Sequence, residues 1–375
     1  MALYVLSPDI RRGVAQAAYV YSDELSETKM EEKSMIAVIS KYRKAIMGFA
    51  ALWILAMHEW RLLIPYGESF WEREVFLKDI GFCGVDIFLL LSGMGLTYAI
   101  KKSSVGRFYF GRIKRILFPY LAVAVIVGVS YGWSAREFLA NVSGYNFYFK
   151  SIYSFMWFVP AILTLYLVFP LYWAIFSRAK NKTVFTLTVL VIWLLVSMVL
   201  RDRLRGDMYG FTNRIPVFLV GVLYGWLCQN NRMRESRGLW ALTALTLLLG
   251  LYLADRTNVD GMYLLVPVSN CCVPNLLIAM SLPLIMAKLL DLLASFRATR
   301  WLSAAANAVL GFFGMMSLEF YCIQQWVSEM ISGYLDTHFG HKAINLLMLA
   351  AVTLAALVLY FGNKGFVAVL NALDR

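Results

Sequence analysis

The sequence predicts an all-α, polytopic integral membrane protein with about ten transmembrane helices and both termini in the cytoplasm. Three observations carry that expectation. The 375-residue chain is 60% hydrophobic and only 15% charged, whereas a soluble domain is about half apolar and a quarter charged. Apolar segments long enough to cross a bilayer as helix recur along it. Its Lys and Arg residues gather in alternate loops. A soluble enzyme, a disordered chain and a disulfide-stapled secreted domain are all excluded by this composition.

Residues 1–40 are polar and mixed, with Arg11, Arg12, Lys29 and Lys33. They lack the basic start, apolar run and small-residue cleavage site of a signal peptide. They read as a loosely ordered cytoplasmic tail, with Met30 or Met35 as alternative natural starts. The spans follow near 45–64, 80–100, 116–133, 155–177, 183–200, 214–229, 239–254, 263–287, 307–331 and 344–362. The runs are continuous rather than alternating, which favours helices over a barrel. Pro267, Pro274 and Pro283 interrupt the eighth. The transmembrane domain covers 41–363, and 364–375 reads as a short cytoplasmic tail.

The net charge of +12 is first a topology signal. Of 35 Lys and Arg residues, 24 fall in the tails and the loops at 101–115, 178–182, 230–237 and 288–300, and 11 in the intervening loops. That bias places both termini inside. A nucleic-acid role needs a basic face with base-reading elements, and none is visible. Cys83, Cys228, Cys271, Cys272 and Cys322 lie in or beside apolar stretches without a C-x-x-C pair, so they read as packing residues.

Several polar residues stand where a membrane makes them costly. His58 lies 14 residues beyond Lys44, roughly 21 Å along a helix, past the midplane. It reads either as a general base or as an interfacial histidine beside Glu59, Trp60 and Arg61. Asp86, in Gly84-Val-Asp86-Ile-Phe88, reads either as a paired intramembrane carboxylate or as a helix cap. Ser92-Gly93-Met94-Gly95 permits close approach of a helix or a ligand. Arg112 and Arg115, three apart, share one helix face. They suit a phosphate-bearing ligand or ordinary headgroup anchoring. Arg214 reads as an interfacial anchor or as the partner of a buried carboxylate or a substrate group. Glu319, followed by Gln324 and Gln325, reads as a polar seam. His338 and His341, without a third ligand, read as solvated.

These residues together resemble the membrane-bound acyltransferase-3 family, the multi-span O-acyltransferases that acetylate bacterial cell-surface sugars. The likeness covers roughly 41–363. Its carriers are Met47-Gly-Phe-Ala50 through His58, Gly84-Val-Asp86-Ile-Phe88 with Ser92-Gly93, and Arg112-Ile-Lys-Arg115-Ile with Pro119-Tyr120. They continue with Met156-Trp157-Phe158, Tyr166 and Pro170, Arg214-Ile-Pro216-Val-Phe218 with Gly221, and Ser317-Leu-Glu319-Phe-Tyr321.

The resemblance implies ten helices and transfer of an acyl group, usually acetyl, from cytoplasmic acetyl-CoA to a hydroxyl of a cell-surface glycan or lipid-linked sugar. No metal is expected, and the location is the inner (plasma) membrane. The catalytic candidates are His58, with Asp86 or Glu59 to orient it. Arg112, Arg115, Arg43 and Ser92 are candidates for holding the donor. Trp157, Tyr166, Arg214, Glu319 and Tyr321 are candidates for substrate binding.

Two departures stand out. Many members carry an Arg where this chain has Met47, and Arg43, one turn earlier, shares its face. The late tyrosine motif commonly runs to a His where this chain has Gln324, which cannot carry a proton at neutral pH. A transporter or flippase-like protein, or a catalytically silent relative in glycan assembly, are the competing readings.

Overall fold

The computed structural model describes residues 34–151, 154–200, 208–259 and 272–373. The described residues are helical, with one isolated antiparallel bridge between Ser34 and Arg234 and no strand. The helices are α1 (Ala37–Lys41), α2 (Arg43–Glu59), α3 (Trp71–Asp79), α4 (Cys83–Lys102) and α5 (Val105–Ser130). They continue with α6 (Ala135–Val142), α7 (Tyr145–Phe149), α8 (Phe158–Arg178), α9 (Lys182–Leu200), α10 (Tyr209–Thr212) and α11 (Ile215–Gln229). The last five are α12 (Arg237–Val259), α13 (Cys272–Ser295), α14 (Arg300–Met315), α15 (Ser317–His338) and α16 (His341–Leu373).

Among the described residues seven helices are long and apolar enough to cross a membrane, or eight if α14 and α15 form one bent span. The expected count of about ten is therefore not reached by length and composition. Apolar surface covers the outside. Leu242, Leu245 and Leu248 on α12 are each about 60% exposed. Solvent would not tolerate so many outward leucines, and a bilayer would. The chain is a multi-pass membrane protein.

Three expected segments differ instructively. The first span ends at Glu59 rather than 64, because Trp60 turns extended (ψ 125°) and Pro65 disfavours helix in the residue before it. The run expected at 307–331 is two helices bent by 71° at Met316. The positively charged 101–115 segment is not a loop from Val105 onward, since it forms the first three turns of α5. At the start of the described residues, Met35, Ile36 and Ile39 are fully buried, so the end of the expected tail is packed. Residues 1–33 lie outside the described residues.

Glycines set how closely the helices cross. A Cβ on Gly48 of α2 would run into the backbone of Leu310 and Gly314 on α14, and one on Gly314 into Lys44. A Cβ on Gly93 of α4 would meet the backbone of Phe218 and Val222 on α11, and one on Gly221 would meet Leu90. Small residues at both crossings let backbones touch, the packing mode available when lipid is as apolar as leucine. These contacts hold α2, α4, α11 and α14 as a compact center, against which α5, α8 and α15 close.

Candidate active site

A cleft forms where α2, α4, α5, α8 and α15 meet. It encloses about 770 Å³ not filled by atoms, its open mouth included. Each helix lines it at helical spacing: Arg43 and Met47, Phe88, Ser92 and Gly95, Arg112 and Arg115, Phe158, Ile162 and Tyr166, Ser317 and Tyr321.

The arginines dominate its chemistry. Arg43 and Arg112 are half-buried and Arg115 is exposed. An ideal Cβ on Gly95 would stand 3.2 Å from Nη2 of Arg43, so the missing side chain makes room for that guanidinium. Arg112 lies over the Phe108 ring, 5.9 Å from its centroid. Its Nε is buried without a hydrogen-bond partner among the described residues. A buried charged donor left unmatched is costly, and an anion in the cleft removes the cost. Three guanidinium groups and the Tyr166 and Ser92 hydroxyls thus line one cleft, a donor set of the kind that binds phosphate oxygens.

A second polar cluster stands beside it. Asp86, with no exposed surface, forms an ion pair with Arg214 and accepts 3.0 Å from Asn275 Nδ2. Arg214 Nε donates to the Gly210 carbonyl at 2.8 Å. Its guanidinium lies 5.6 Å from the Trp157 ring centroid. Met156 takes a left-handed backbone (φ 45°), an unusual conformation for a side chain-bearing residue. The turn precedes α8, with Trp157 against Arg214 and Phe158 in the cleft wall. There Phe158 packs edge-on against Tyr321, centroids 5.2 Å apart. Of the alternatives the sequence leaves open, Asp86 is the paired intramembrane carboxylate and Arg214 is its partner. Asn275 carries only the signal of a lone amide in an apolar run, too weak to single it out.

Glu319 is buried and accepts 2.6 Å from Asn363 Nδ2, which also lies 3.3 Å from the Arg115 carbonyl. This seam fixes α15 against α16 and the arginine-bearing turn of α5.

His58 and Glu59 are not in the arginine cleft. They end α2 fifteen residues beyond Arg43, roughly 22 Å along the axis. His58 is exposed and Glu59 half-buried. The hydrogen bonds of Asp86 go to Arg214 and Asn275. The segment after Glu59 is pinned. Arg61 forks onto Asp336 at 2.9 and 2.8 Å, Asn345 binds both the N–H and the carbonyl of Arg61, and Glu74 accepts from the Leu63 and Ile64 amides. His341 Nδ1 sits 2.6 Å from the Leu62 carbonyl. His338 contacts its own helix. No cluster of three or more His, Cys, Asp or Glu placed to hold a metal occurs among the described residues. Cys83, Cys228 and Cys322 are buried thiols, and Cys83 Sγ donates to Asn275 Oδ1 at 3.7 Å.

Six sequence-predicted residues thus converge: Arg43, Ser92, Arg112, Arg115, Tyr166 and Tyr321. Trp157, Asp86 and Arg214 gather beside them, Glu319 braces them, and His58 with Glu59 stand apart. No curated protein and no solved structure matches the chain. The family model of the acyltransferase domain Acyl_transf_3 matches residues 45–362, and the chain belongs to that acyltransferase-3 family.

Proposed function

We propose that the protein moves an acyl group, acetyl in the simplest case, from cytoplasmic acyl-CoA to a hydroxyl of a cell-surface glycan or lipid-linked sugar. The observation that supports this most is the convergence of Arg43, Arg112 and Arg115 in one cleft, with the orphaned Arg112 Nε among them. Those groups fit the phosphates of the donor's nucleotide end. The bulk of the basic residues fall in alternate loops by sequence, which supports a cytoplasmic cleft mouth and cytoplasmic termini in an inner-membrane protein.

In this reading the donor is a substrate held by the arginines, with Tyr166 and Ser92 supplying further hydrogen bonds. His58, about four helical turns away, takes the proton of the acceptor hydroxyl as its oxygen attacks the thioester carbon. One C–O bond forms and one C–S bond breaks. The proton ends on the departing thiol. Asp86 is held by Arg214 and Asn275, which leaves Glu59 as the remaining candidate to orient it. Apolar walls from Phe88, Phe158 and Ile162 limit water along the donor where it leaves the arginines. Arg43 supplies a guanidinium one turn from Met47, where many relatives carry theirs.

The test is binding of acetyl-CoA to the purified full chain. Wild type binds, and Arg112→Ala with Arg115→Ala binds at least about tenfold more weakly, a loss of roughly 1.4 kcal/mol. Equal affinity of the two proteins would reduce the arginines to membrane anchors and remove the support for the donor site.

A further inference from the structure

One face of α15 runs from the arginine cleft toward Glu59 at the end of α2. Ser317, Tyr321, Gln324 and Ser328 follow one another at steps of four, three and four, which keeps them on a single stripe. Ser317 and Tyr321 line the cleft. Ser328 is buried, interacts with the Glu59 carboxyl and lies 3.2 Å from the Met348 sulfur. The stripe from Ser317 to Ser328 is roughly 16 Å long.

Gln324 stands between these two ends. It is 2% exposed, and its Oε1 has no hydrogen-bond donor among the described residues. A buried amide oxygen without an N–H is costly to keep. It sits one turn beyond Tyr321, on the route from the arginines to Glu59. The pantetheine arm of a CoA thioester must cover that route if its phosphates are at the arginines and its acyl carbon near His58. The arm carries two secondary amides, whose N–H groups are its donors of the kind Gln324 lacks.

We propose that Gln324 Oε1 accepts an amide N–H of the pantetheine arm and so fixes how far the thioester reaches toward His58. Gln324 is then a positioning residue, and the stripe of α15 is the track of the arm. This rests on the acyltransferase reading above.

The test compares two ligands by calorimetry on the purified full chain: acetyl-CoA, and adenosine 3′,5′-bisphosphate, which has the nucleotide end but no arm. Gln324→Met keeps the side-chain length and removes the amide. It should weaken acetyl-CoA binding by about tenfold and leave the bisphosphate affinity unchanged, and Gln324→Glu, which retains an acceptor, should restore part of the loss. Unchanged acetyl-CoA affinity in Gln324→Met overturns the proposal, as does an equal loss for both ligands. If Gln324→Met does not fold, wild type is titrated with acetyl-CoA analogues in which oxygen replaces one or the other amide N–H. One analogue should bind about tenfold more weakly, and full affinity of both overturns the assignment. Absence of acetyl-CoA binding to wild type would instead overturn the underlying donor reading.

Discussion

Arg214 and Asp86 are bound to each other in the interior, Nη1 of the arginine donating to Oδ2 of a carboxylate that has no exposed surface. The pair ties the start of α11 to the first turn of α4, and Asn275 adds α13 through its 3.0 Å bond to the same oxygen. Removing one member strands the other. Asp86→Ala should destabilize the protein by about 3–5 kcal/mol. Asp86→Ala with Arg214→Ala should cost less than the sum of the two single changes. Unfolding in detergent, followed by tryptophan fluorescence, measures all three variants, and strictly additive losses would show that the pair is not coupled.

Gly95 makes the space that Arg43 fills. Gly95→Leu should displace the guanidinium, whose Nη2 would be 3.2 Å from the new Cβ, and weaken acetyl-CoA binding about tenfold, or roughly 1.4 kcal/mol. Gly106→Leu is the control, because nothing stands within 4 Å of its Cβ. Equal affinity in both variants would take Arg43 out of the donor site.

Gly48 and Gly314 let α2 and α14 touch backbone to backbone. Gly48→Val should separate them and destabilize the fold by at least the ~1–3 kcal/mol typical of overpacking, seen as a lower unfolding midpoint. Gly311→Val on the same helix α14, with open space at its Cβ, should stay near wild type.

The proposed orientation is open to thiol labelling. A cysteine in place of Ser104, at the start of α5, should react with an impermeant maleimide only from the cytoplasmic side. One in place of Tyr66, 84% exposed in the loop after α2, should react only from the opposite side. The reverse pattern would overturn the orientation and with it the cytoplasmic entry of the donor.

Much of this is legible in the sequence because lipid imposes a simple grammar. Long apolar runs have to be helices, and intramembrane charges have to find partners. The pairing of Arg214 with Asp86 is one of the alternatives the residues themselves offer. The three-residue spacing of Arg112 and Arg115 is enough by itself to put them on one helix face. What is not legible depends on contacts between segments far apart in the chain. The 71° break at Met316 has no proline to announce it, and it occurs where Gly314 is pressed against Lys44. Asn275 and Asn363 are single amides in apolar runs, and only the fold reveals that they face Asp86 and Glu319. The convergence of Ser92, Tyr166 and Tyr321 on the arginines likewise needs three helices to be placed side by side.

The proposed acyl transfer has His58 at its reacting end. Its most direct test is the content of base-labile O-acyl groups on the surface glycans of cells carrying wild type, His58→Ala or a gene deletion, with the variant shown to be folded and inserted. O-acyl groups are expected with wild type, and their loss, to the level of the deletion, with His58→Ala. Equal O-acyl content in all three would contradict that expectation.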